Sequence, residues 1–144
     1  MDRYIRPTSA DAALNRVVRL LTRLGISLMG SRVLAVKGRT SGVWRTTPVN
    51  LLTVGGVRFL VAPRGQTQWV HNIRAAGGGE LRLGHRAEPF TVTELADADK
   101  PAVIRAYLKR WGWEVGRFFD GLTKDATDEE ILAVAPGFPV FRVD

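Results

Sequence analysis

The 144-residue sequence predicts an α+β, mainly β fold: short antiparallel strands that close on themselves as a barrel or sandwich. Three observations carry this. Short apolar β runs follow one another over residues 32–37, 47–54, 57–62, 80–83 and 89–95, and a last one spans 138–143. Gly55-Gly56 supplies a two-residue hairpin turn between two of them. The helical periodicities between the strands are too few for alternating βαβ units.

The elements follow in order along the chain. Residues 1–7 are polar and do not read as a signal peptide. From Ala12 to Met29, Leu14, Val17, Val18, Leu21, Leu24 and Leu28 recur at spacings of three and four, opposite Asn15, Arg16, Arg19, Thr22 and Arg23. This amphipathic pattern predicts an N-terminal helix capped by Thr8 or Ser9. It suits packing on its own domain and also a peripheral membrane contact, because arginines flank the leucine stripe. Its apolar runs fall short of the roughly 18 residues a membrane span needs. A short helix is expected over 66–76, with Trp69, Val70 and Ile73 on its apolar side and Gly77-Gly78-Gly79 as its stop. A longer one is expected over 99–111, with Pro101 in its first turn. Thr127 and Glu130 form a capping-box pattern before a brief helix through Val134. Residues 1–144 read as one domain, with the leading helix over 1–30 and the barrel over 31–144.

Composition narrows the function. With 45% hydrophobic and 24% charged residues, disordered, collagenous and membrane-spanning classes drop out. The absence of cysteine excludes disulfides, thiolate metal sites and a cysteine nucleophile, and fits a cytoplasmic location. Two histidines, His71 and His85, cannot build a His-rich metal site. A formal charge of +7 attracts anions of any kind: phosphorylated cofactors, nucleic acid or acidic lipid.

No catalytic acid/base pair stands out, because Asp97, Asp99, Asp125, Asp128, Glu129 and Glu130 lie at helix starts, where capping accounts for them. Ser41 lacks a neighbouring base, and no Gly-x-Ser-x-Gly elbow is present. The most informative stretch is Gly38 to Val49, which sets Arg39 and Arg45 with Thr40, Ser41 and Gly42 around one turn between two apolar runs. Backbone N–H groups and guanidinium forks converging there would form an anion cradle, although the same residues also suit an ordinary hairpin loop with solvated arginines. A second basic turn, Ala62-Pro63-Arg64-Gly65-Gln66, leads into the short helix that carries Trp69 and Asn72. Trp69 is either an apolar wall for a fused-ring ligand or the core anchor of that helix.

These residues resemble a known family. The ordered set Gly38-Arg39-x-Ser41-Gly42-x-x-Arg45-x-x-Pro48, then Gly55-Gly56, Val61-Ala62-Pro63-Arg64-Gly65 and Trp69-Val70-x-Asn72-Ile73-Arg74-Ala75 is similar to the deazaflavin (coenzyme F420)-dependent nitroreductases and quinone reductases of actinobacteria. The resemblance implies a split β-barrel of the flavin-reductase and pyridoxamine-oxidase type with the cofactor along its rim. It implies that Arg39, Ser41 and Arg45 hold the cofactor's phosphate and the start of its acidic tail, with Thr40 among them as a further cofactor-binding position. Thr47, Pro48 and Val49 would line the ring, Val61, Ala62, Pro63, Arg64 and Gly65 would lie against the deazaflavin, and Trp69 and Asn72 would complete the groove. Lys37 joins them on charge alone. Tyr107 would be the proton donor, alternatively solvent, and Trp111 and Trp113 the substrate wall.

The chain departs from the family at two positions. Thr40 stands where many members carry a base, and Pro63 where members that reduce bicyclic nitro compounds carry a serine, so proline offers neither hydroxyl nor N–H there. The expected activity is hydride transfer from reduced F420 to a quinone-like or nitroaromatic acceptor. The alternatives are an FMN-binding oxidoreductase on the same barrel, a non-catalytic deazaflavin or lipid carrier, and, last, a nucleic-acid-binding barrel, which should spread its aromatics over strand faces. A cytoplasmic monomer is expected, with the inner membrane face as a peripheral site.

Overall fold

The computed structural model describes residue 16, residues 31–115 and residues 122–144, with backbone alone for 113–115. The expected N-terminal helix lies outside these residues except for Arg16, which is helical and exposed.

Seven strands form one antiparallel sheet: β1 (Ser31–Lys37), β2 (Trp44–Asn50), β3 (Leu52–Val54), β4 (Val57–Val61), β5 (Gly78–Leu83), β6 (Arg86–Glu94) and β7 (Val140–Val143). Their order across the sheet is β2-β1-β5-β6-β7-β4-β3. The two edge strands, β2 and β3, are therefore consecutive in the chain and separated by Leu51 alone. One residue spans only about 3.5 Å, so the sheet must curl until its edges approach each other. The result is a mainly β half-barrel with three described α-helices: α1 (Gln68–Ala76), α2 (Pro101–Val115) and α3 (Asp128–Val134).

Several boundaries differ from the sequence reading, each for a physical reason. The run expected over 47–54 is two strands: Leu51 faces the inner core and Leu52 the outer one. Strand β2 also begins earlier, at Trp44, because the aromatic and β-branched residues of Trp44-Arg45-Thr46-Thr47 favour extended backbone. Pro48 is tolerated because β2 is an edge strand. Of the three glycines expected to stop α1, Gly77 alone does so, in the left-handed conformation with its N–H donating to Ile73 O. Gly78 and Gly79 are strand residues. A Cβ on Gly78 would lie 2.1 Å from Phe90 O, and one on Gly79 2.4 Å from Ala35 O, so the close approach of β5 to β6 and β1 requires them.

Strand β6 starts at Arg86, and the last strand begins at Val140, after a short 3-10 turn at Ala135–Gly137. The long helix starts at Pro101, preceded by a 3-10 turn at Asp97–Asp99, and runs on to Val115. The Gly55-Gly56 turn is as expected, both residues having positive φ (56° and 80°). The Thr127 capping box is also present, with Glu130 N donating to Thr127 Oγ1 at 3.1 Å and Thr127 N to Glu130 Oε1 at 3.0 Å.

Each face of the sheet buries its own core. The inner one gathers Leu34, Val36, Leu60, Phe90 and Phe141 under Val70 and Ile73 of α1. The outer one packs Leu52, Val61 and Val140 against Ile104, Tyr107 and Trp111 of α2 and Ile131 of α3. Across the curl, Arg58 on β4 grips Glu88 on β6 through two hydrogen bonds of 2.8 and 2.6 Å, and its guanidinium holds that carboxyl below the usual carboxylate range.

The glycines give a paired test. Gly112 lies inside α2, and a Cβ there meets nothing within 4 Å among the described residues, so Gly112→Ala should raise the unfolding free energy by about 0.5–1 kcal/mol. Gly79→Ala should lower it by roughly 1–3 kcal/mol, because strand backbone must move. Urea unfolding of both variants measures the two signs.

Candidate functional site

The β1–β2 turn is built by its own short-range hydrogen bonds. Gly38 N donates to Val43 O at 2.8 Å, Gly42 N to Gly38 O at 2.9 Å, and Val43 N to Ser41 Oγ at 3.1 Å. Gly38 sits at the centre: a Cβ there would come within 2.9 Å of Ser41 Oγ and 3.9 Å of Arg45 Cγ. A side chain at this position would fill the cradle that Ser41 and the Arg45 stem enclose.

Helix α1 holds the turn from outside. Asn72, only 5% exposed, accepts two hydrogen bonds at Oδ1, from Arg39 N at 3.1 Å and Arg39 Nη1 at 2.8 Å. Arg39 Nη2 donates to Gln68 Oε1 at 3.0 Å. Arg39 and Asn72, both expected in the site, are thus brought together. Gln68 was not expected there, although its place four residues before Asn72 on one helical face was a signal that could have found it.

Strand pleating divides the remaining candidates between two faces. Arg45 pairs with Val36, Thr47 with Leu34 and Val49 with Arg32, so the three β2 residues face inward with Leu34 and Val36. Pro48 pairs with Val33 and faces the other way, away from Thr47 and Val49. Lys37 and Trp44 are also a cross-strand pair on that outer face. Trp44, 41% exposed, carries Lys37 Nζ at 5.4 Å and Arg82 Cζ at 5.3 Å from its ring centroid. Arg45 makes no hydrogen bond or ion pair within the described residues, and the backbone N–H groups of Thr40 and Ser41 find no acceptor there.

The second basic turn leads from β4 to α1. Val61 belongs to the outer core and Ala62 to the inner one, so consecutive residues seal both faces. Pro63 and Arg64 are half-buried, Gly65 N donates to Ala62 O at 3.1 Å, and Thr67 N donates to Gly65 O at 2.9 Å. Thr67 is the N-cap of α1, yet its side chain makes no capping bond, and its Oγ1 is buried without a partner among the described residues. Trp69 is half-buried with its ring centroid 5.8 Å from that of Phe141. Trp69 therefore anchors the inner core while staying partly exposed.

Tyr107 and Trp111 are not brought to this turn. Their rings, 5.0 Å apart, lie in the outer core, with Tyr107 2% and Trp111 0% exposed. The side chain of Trp113 lies outside the described residues. Among the described residues no group of His, Asp and Glu could hold a metal, and no helix is long and apolar enough to cross a membrane.

Comparison with known proteins bears on this site. A family model described as F420H(2)-dependent quinone reductase matches residues 12–113. The chain belongs to that family. The cofactor of the family is reduced coenzyme F420, as the resemblance implied. No curated protein matches the sequence. Among solved structures, the F420-H2 dependent reductase FDR-A shares 18% identity at a TM-score of 0.56, covering 80% of this chain and 94% of its own. A domain-swapped dimer shares 17% at 0.59, covering 95% and 100%. A putative pyridoxamine 5'-phosphate oxidase from Listeria innocua shares 12% at 0.50, covering 80% and 82%. At these identities the structures show the fold, which is the split-barrel type expected.

The residues present fit the family's anionic cofactor. The Gly38 cradle, the Arg45 guanidinium, the Ser41 hydroxyl and the two amides offer donors, and no carboxylate within the described residues is hydrogen-bonded to any of them. The buried Thr67 hydroxyl adds a donor at the positive end of α1. Thr67→Val should therefore not lower the unfolding stability, because a buried hydroxyl without a partner among the described residues is replaced by a methyl of similar shape. The same substitution should weaken cofactor binding, read by fluorescence titration.

Proposed function

We propose that this F420-dependent family member is an oxidoreductase that reduces a flat, electron-poor acceptor of the quinone type. The observation that carries the reading is the donor set of the 38–45 turn, positively charged and without a carboxylate partner among the described residues. Charge-assisted hydrogen bonds from Arg45 and the turn amides would hold the phosphate and acidic tail. Thr47 and Val49 on the inner face, with Trp69 on α1, would flank the ring system and keep water from it. Reduced coenzyme F420 supplies a hydride when bound there. The protein's part is placement, and we assign the accompanying proton to solvent, because Tyr107 lies across the sheet in the outer core.

A nitroaromatic is the second acceptor class. It is less favoured because Pro63 cannot donate a hydrogen bond from its backbone nitrogen or its side chain. The domain-swapped assembly of one structural neighbour weighs against the monomer expected from the sequence. We propose a cytoplasmic location, in keeping with the absence of cysteine.

Titration with oxidised F420, followed by its fluorescence, should show saturable binding that FMN does not displace. Arg45→Ala should weaken it by roughly ten- to a hundredfold, the scale of one hydrogen bond to a charged group. The cofactor-loaded protein should then reduce a 1,4-naphthoquinone faster than a nitroaromatic. Displacement by FMN would favour the flavin alternative, and binding without turnover would make the protein a carrier.

A further inference from the structure

We propose that Arg39 is a strut, through which Asn72 positions the β1–β2 turn, and that Arg45 alone of the two arginines carries the charge contact to the anion. The division of labour rests on the F420 reading above, but the strut itself is a property of the ligand-free protein.

The argument begins with the Asn72 carbonyl. Its Oδ1 has two lone pairs, and Arg39 occupies both: one with the backbone N–H at 3.1 Å and one with Nη1 at 2.8 Å. The second Nη lies along α1 and donates to Gln68 Oε1 at 3.0 Å. Both terminal nitrogens of the guanidinium are thus engaged by α1. An anion that drew the guanidinium away from α1 would cost Asn72, only 5% exposed, its Nη1 hydrogen bond and leave its Oδ1 the Arg39 amide alone. Arg45 faces no such competition. It has no hydrogen bond or ion pair within the described residues, and its stem lies against the Gly38 cradle.

The position of the link matters as much as its chemistry. The turn's other hydrogen bonds stay within residues 38–43, and residues 40–46 are exposed. What fixes the turn relative to α1 is therefore the Arg39 clasp, which bridges 33 positions of sequence. Helix α1 also carries Thr67 and Trp69. Asn72 thereby sets the distance between the anion-holding turn and the wall where the ring system would lie, and is a positioning residue in that sense.

Two measurements test this. In the ligand-free protein, hydrogen exchange by NMR should show the Arg39 amide protected. Asn72→Ala should speed its exchange at least tenfold while core amides stay protected, and Asn72→Asp, which keeps an acceptor oxygen, should restore protection. If Asn72→Ala does not fold, Asn72→Ser takes its place. Unchanged Arg39 exchange in the folded variant overturns the strut whether or not any ligand binds.

The second measurement is a double-mutant cycle on F420 affinity across a salt series. Arg39→Ala and Asn72→Ala should each weaken binding by a similar factor, on the order of three- to tenfold, and the double variant by no more than either. Arg39→Ala should keep the parent's salt dependence, whereas Arg45→Ala should flatten it. Multiplicative losses, or a flattened salt dependence in Arg39→Ala, overturn the proposal by making Arg39 a direct anion ligand. Failure of the parent protein to bind F420 would instead overturn the functional reading, with amide exchange still deciding the strut.

Discussion

The constraint on which the rest of this structure depends is the single residue between β2 and β3. These strands form the two edges of a seven-stranded sheet, yet Leu51 alone separates them. A flat sheet of that order would hold them several strand widths apart, each about 4.8 Å. The chain can satisfy both the pairing and its own continuity only by curling. Leu51 and Leu52 record this turning point, since one side chain enters the inner core and the next the outer core. With two faces to bury, the protein covers the inner one with α1 and the outer one with α2 and α3.

From the curl follows the placement of the site. Helix α1 spans the inner side, so the β1–β2 turn meets its Asn72 and Gln68 through Arg39. The pleat then sorts the cations, with Arg45 inward and Lys37 outward beside Trp44. Exposed arginine is usually worth little to stability. An Arg45 without an acidic partner among the described residues is therefore more useful as a ligand donor than as a structural element. Arg74 and Arg58 show the contrast, each spent on a carboxylate, Glu94 and Glu88.

Most of the fold was legible in the sequence because it is written in local signals: the Gly55-Gly56 turn, the Thr127 capping box and the alternating strands. What escaped was long-range. Nothing local says that Gly78 and Gly79 continue into a strand, since the reason is the carbonyls of Phe90 and Ala35 pressing on them. Nor does it say that a run of extended residues will break at Leu51. In the site, the ordered motif contained both Arg39 and Asn72, which the fold joins by hydrogen bonds. It could not tell that Thr47 and Pro48 face opposite ways, that Gln68 shares the Arg39 clasp, or that Tyr107 lies in the outer core. Those facts depend on pleat, helix rotation and topology together.

The family assignment supplies the cofactor, and the geometry supplies a place suited to it: a donor-rich turn clasped to a helix whose N-cap hydroxyl has no partner among the described residues. The most direct measurement of this account is a crystal structure of the protein with oxidised coenzyme F420. The account predicts the phosphate against the Arg45 guanidinium and the amides of Thr40 and Ser41, with the Arg39–Asn72 hydrogen bonds retained. A phosphate seated elsewhere on the protein, with the β1–β2 turn untouched, would contradict it.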